Sequence, residues 1–159
     1  MEFSFEFAKR MIESADALFT NSRTKDDTGR AIIYLSSLSC EISLKALLED
    51  TGYSIKELKK LSHKLDLLMN EVCTCYFKDS GIRATSIRSK EVVPNTANGT
   101  IGTLLESQAS GASIYPHEIR YGEKITHFPP EVMLDCAKEV SLWCTKNIGN
   151  LVRNYKTIE

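Results

Sequence analysis

A surplus of charge of either sign is the first thing missing from this chain. Twenty Lys and Arg side chains stand against 21 Asp and Glu, a formal net charge of −1. That excludes a global field drawing the chain to nucleic acid, so any such binding must use a local patch. An unbroken apolar run of the roughly 18 residues that cross a bilayer is missing too. The richest stretch, Ala31 to Leu48, is interrupted by Glu41, Lys45 and four serines. Basic residues are absent from Met1-Glu2-Phe3-Ser4-Phe5-Glu6, where a signal peptide would carry them. These absences predict a cytoplasmic protein with no membrane association. Metal-ligand spacing is lacking as well. The five cysteines are odd in number, Cys73 and Cys75 are separated by a single residue, and the three histidines do not cluster with them. No metal and no cofactor is expected. Cys40, Cys136 and Cys144 sit in apolar helical patterns, where a thiol acts as a small hydrophobe.

What is present is an ordinary globular composition. Hydrophobic residues make up 42% and charged residues 26% of 159, enough apolar matter for one core and one domain, 1–159. Phe7, Met11, Ile12, Ala15, Leu18 and Phe19 recur at steps of three and four, which predicts a helix over about 5–20. Thr24-Lys25-Asp26-Asp27 reads as the start of a second helix, over 27–50. That helix is apolar on most sides, as a helix at the centre of a bundle must be. Its charges, Glu41, Lys45 and Glu49, fall at four-residue steps and can form one polar stripe. Ser54-Ile55-Lys56-Glu57 fits a capping box, opening a short helix through Leu61. Leu65, Leu68, Val72 and Tyr76 carry the next helix, over 63–77.

From Asp79 to Gly99 the periodicity disappears, predicting a long polar loop that Arg83, Arg88 and Lys90 make locally basic. Ile101, Leu104 and Leu105 suggest a short helix. Tyr115 to Gly122 is polar and turn-rich. Pro129-Pro130-Glu131 opens a last helix over 130–153, whose buried face runs from Met133 through Trp143 to Val152. With no strand alternation, the expected fold is all-α: four or five helices in an antiparallel bundle.

Three stretches of this sequence resemble the HEPN family of small helical domains. Cys40-Glu41-Ile42-Ser43-Leu44-Lys45-Ala46-Leu47-Leu48 is similar to the family's central helix, with a glutamate ahead of a lysine and a leucine pair. Leu61-Ser62-His63-Lys64-Leu65-Asp66-Leu67-Leu68 is similar to its histidine-then-leucines entry to the third helix. Ile119-Arg120-Tyr121-Gly122, followed by a long helix with Ala137, is similar to its arginine-tyrosine turn, although Gly122 stands where many relatives have proline. Together they span about 28–153.

The resemblance implies a HEPN-like module that binds RNA, a nucleotide or a protein partner. It implies a setting of bacterial defence, stress response or toxin–antitoxin pairing, with a cognate antitoxin or nucleotidyltransferase as partner and a homodimer as the assembly. One alternative it raises is a metal-independent endoribonuclease, since HEPN ribonucleases place a histidine after an arginine with four to six residues between them. Arg120 and His127, with six residues between them, fit the outer limit. A guanidinium can grip a phosphate through two hydrogen bonds, and an imidazole can move the proton of a ribose 2′-hydroxyl. Tyr121 stands where catalytic relatives carry a polar residue, and His127 precedes Phe128-Pro129-Pro130 instead of lying inside the helix. A structural dimerisation domain is the second alternative.

Other candidates carry two readings each. Glu41 pairs with Lys45 on an exposed stripe, or faces inward to anchor Arg120 or its ligand. His63 reads as a helix-start or packing residue more readily than as a catalyst. His117 is the reserve histidine beside Arg120. Arg83 and Arg88 are candidate phosphate contacts or solvated loop charges. Tyr115 and Tyr121 flank the arginine turn, to stack a base or to pack the turn.

Overall fold

A computed structural model of the chain describes residues 1–21, 26–93, 99–110, 115–121 and 129–154. The described residues are mostly helical. The first helix, α1 (Phe5–Asn21), buries Ala8 and Ala15, two turns apart on one stripe. It lies along α2 (Asp26–Asp50), where the Ser39 hydroxyl donates to the Ala8 carbonyl at 2.8 Å.

Helix α2 is the axis of the molecule. Cys40, Leu44, Leu47 and Leu48 are fully buried, and so are Ser36, Ser37, Ser39 and Ser43 on its other sides. Against the expectation from its serines and charges, Thr28–Asp50 is long and apolar enough to cross a membrane, with a mean hydropathy of 1.5. Within the fold 78% of that window is buried, which is how a core helix comes by the same composition.

The helix opened by the capping box is α3 (Ile55–Lys60). Ser54 Oγ accepts from the Glu57 amide at 3.2 Å, and Glu57 Oε2 accepts from the Ser54 amide at 2.8 Å. Glu57 also takes both ends of the Arg153 guanidinium, at 2.6 and 2.9 Å, and with the Ser54 amide this lowers its carboxyl pKa to about 2. Next comes α4 (Leu65–Thr74), whose Leu68, Met69 and Val72 meet the core.

The described part of 79–99 is not the polar loop its sequence suggests. Tyr76–Phe77 forms a short strand, β1, followed by α5 (Ser86–Ser89) and β2 (Glu91–Val92), with Ala84, Ile87 and Val92 fully buried. Strand β2 pairs antiparallel with β3 (Gly99–Thr100), which leads directly into α6 (Ile101–Ser110). Elements of two to four residues are too short to show a period, so three buried side chains among polar ones read as none.

A five-residue helix, α7 (His117–Tyr121), follows in the segment expected to be a turn. The last helix, α8 (Pro130–Lys146), starts at its proline as expected but stops short of 153. Asn147 caps it with a side-chain bond to the Trp143 carbonyl, and Gly149 adopts φ +74°, a left-handed conformation that suits glycine. Leu151–Val152 then becomes β4, paired antiparallel with β1. Helix α8 packs Met133, Cys136, Ala137, Val140 and Cys144 against α2. All five cysteines are free, and Cys73 alone is not fully buried. The thiol of Cys40 is hydrogen-bonded to Cys136, which with burial raises its pKa, as suits inert thiols.

Candidate functional site

On α2 the four-residue step between Glu41 and Lys45 does put them side by side, with Lys45 Nζ 2.8 Å from Glu41 Oε1. The stripe is not exposed: each side chain keeps only 6% of its surface. A buried carboxylate must be satisfied on every side, and two more donors reach it from far along the chain. His63 Nδ1 lies 2.9 and 3.0 Å from its two oxygens, and the Tyr115 hydroxyl donates to Oε2 at 2.5 Å.

Local backbone explains how each donor arrives. Ser62, between α3 and α4, takes φ +53°, a left-handed residue that turns the chain just before His63. Tyr115 stands at the entrance to α7, buried to 7% exposure. Burial, together with the Glu41 charge, raises its hydroxyl pKa well above the usual tyrosine value, so it keeps the proton it donates to Glu41. Its ring meets His63 edge-on with centroids 6.1 Å apart, and Tyr34 at a 50° tilt with centroids 5.7 Å apart.

Tyr34 leads outward to Arg120. Arg120 Nη2 donates to the Tyr34 hydroxyl at 2.8 Å, and its guanidinium carbon lies 5.4 Å from the Tyr34 ring centroid. One turn before Tyr34 on α2, Arg30 Nη2 donates to the Ile119 carbonyl at 2.8 Å. Arg30, Ala31, Tyr34, Ile119 and Arg120 together line an open groove of about 300 Å³. Among the described residues neither guanidinium meets a carboxylate.

On the far side of Tyr115 lies a separate cleft of about 340 Å³, where the α3–α4 turn, the end of α6 and the start of α7 converge. His63 and His117 both line it. The chain matches no protein-family model, no curated protein and no solved structure. What the arrangement can do therefore rests on its own chemistry: a groove suited to an anion, backed by a buried polar network.

The residues singled out in the sequence separate accordingly. Arg120 belongs to the groove, and Tyr121, 78% exposed, lies next to it in the chain. Glu41 faces inward, but it holds His63 and Tyr115 and not Arg120. His117 lines the cleft and not the groove. His127 lies outside the described residues. Arg83 places its guanidinium over the Tyr76 ring of β1 at 5.6 Å, whereas Arg88 bonds Glu106 of α6 and Asn70 of α4. Sequence reasoning passed over Arg30 and Tyr34, which the α2 pattern hides among apolar neighbours. It gave His63 and Tyr115 packing roles because their partner is distant in the chain.

Proposed function

We propose that the protein is a HEPN-like antiparallel bundle that binds the phosphates of RNA or a nucleotide in the groove between α2 and α7. One observation carries the reading. Arg30 and Arg120 share a groove in which, among the described residues, no carboxylate neutralises either. Guanidinium forks are the side-chain geometry that best matches phosphate oxygens. The Tyr34 hydroxyl already orients Arg120, so little of its freedom is left to lose on binding. In this reading the protein works in the cytoplasm as a homodimer, in a defence, stress or toxin–antitoxin setting.

The test is fluorescence anisotropy with a labelled single-stranded oligoribonucleotide. Arg120→Ala and Arg30→Ala should each weaken association about tenfold or more, the worth of a charged hydrogen bond. Arg120→Lys should recover little, because an ammonium lacks the planar fork. Equal affinity for wild type and both alanine variants would sink the proposal. Gel analysis of the same mixtures, with a chelator present, tests the endoribonuclease alternative. Cleavage that His127→Ala abolishes while binding persists assigns a proton-transfer role to His127.

A further inference from the structure

The cleft behind Tyr115, lined also by Ser62, Lys64 and His117, holds two buried acceptors that meet no donor. Gln108, only 2% exposed, lines it with a buried Oε1 that meets no donor. Its amide nitrogen reaches nothing better than the Met133 sulfur, at 3.8 Å. Asp66, in the first turn of α4, lines the same cleft, and its Oδ1 is likewise buried and unpartnered. His63, which also lines the cleft, commits Nδ1 to Glu41. Buried acceptors left without donors are costly, and a ligand that brings donors removes that cost.

The cleft also presents apolar surface, from Leu65, Pro116 and the Tyr115 ring. A compact ammonium would lose its hydration against such surface, whereas a planar heterocycle would pack on it. The volume of about 340 Å³ is at the small end of ligand sites, enough for one nucleoside-sized molecule. We propose that this cleft binds a planar ring presenting adjacent N–H donors, the hydrogen-bonding edge of guanine. The Asp66 carboxylate accepts from N1–H and one N2–H, and the Gln108 carbonyl accepts from the other N2–H. The Glu41 network holds His63 and Tyr115 in position as cleft wall.

This site does not depend on the arginine groove, because a nucleoside carries no phosphate. Titration calorimetry of the full chain with guanosine and inosine compares rings that differ only in the exocyclic amine. A short single-stranded oligoribonucleotide with one guanosine, against the same strand with inosine, compares them within a polymer. The guanine form should bind about tenfold tighter or more in at least one pair, the loss expected when buried acceptors go unpaired. Preference in the nucleoside pair identifies a free ligand, and preference in the oligonucleotide pair alone identifies RNA. Asp66→Asn and Gln108→Leu should each reduce that preference, while Arg120→Ala leaves it intact and weakens only phosphate binding. Equal affinity for guanine and hypoxanthine in both pairs overturns the proposal, as does failure of all four probes to bind at millimolar concentration. The wild-type comparison needs no variant, so a poorly folded mutant cannot decide the outcome.

Discussion

Glu41 is a single carboxylate on which Lys45, His63 and Tyr115 all converge. Replacing it with glutamine keeps the shape and loses the charge, leaving the Lys45 ammonium in the core without a counter-ion. Breaking a buried pair in this way costs about 3–5 kcal/mol, whereas removing both charges can be nearly neutral. Glu41→Gln should therefore lose stability of that order in urea unfolding, and adding Lys45→Met should restore most of it. A loss under about 1 kcal/mol for Glu41→Gln would mean that water reaches the pair and screens it. The i,i+4 relation of Glu41 and Lys45 was legible in the sequence because helix geometry fixes it. Their burial was not, since an exposed stripe and an internal one have the same spacing. His63 and Tyr115 lie 22 and 74 residues from Glu41, and no local pattern signals contacts of that range. Arg120 was found from its motif, and Arg30 had none to be found by.

At the scale of elements, the long helices were legible and the short pieces were not. Helices α1, α2 and the start of α8 repeat their apolar residues over several turns, and Ser54 and Glu57 announce α3 by side-chain chemistry. Leu151 and Val152 continue the apolar spacing of α8 by coincidence while pairing with β1, so the period ran past the true end at Lys146. The hairpin β2–β3 and helix α5 are held by packing, and Gly102 shows where. A Cβ there would stand 2.5 Å from Arg88 Cγ and 2.9 Å from the Arg88 carbonyl oxygen, so α6 approaches α5 as closely as backbone permits. Alanine is the better helix former by about 1 kcal/mol, but the contact with backbone cannot be relieved by a side-chain rotation. Gly102→Ala should therefore destabilise the protein, by about 1–3 kcal/mol as overpacking does. A rise in the thermal midpoint would show that α5 can move away and that 79–93 is loosely attached.

For the whole molecule the decisive quantity is how few charges, among the described residues, face the arginine groove. With a net charge of −1, no general attraction supplements Arg30 and Arg120, so binding to a single strand should release counter-ions at those two contacts only. For single strands each neutralised phosphate contributes about −0.7 to the slope of log K against log salt. One groove acting alone should give a slope of about −1.4. A two-fold homodimer brings a second copy of the groove, and a strand long enough to occupy both should approach about −2.8. Titrations from 50 to 300 mM salt, with oligoribonucleotides of four and of sixteen nucleotides, separate the cases. The short strand should give the smaller slope and the long strand the larger, while light scattering at the same concentrations reports a dimer. Equal slopes near −1.4 for both lengths would leave each groove independent, whatever the assembly. A slope near zero for the short strand would remove Arg30 and Arg120 from the interface and overturn the proposed phosphate binding.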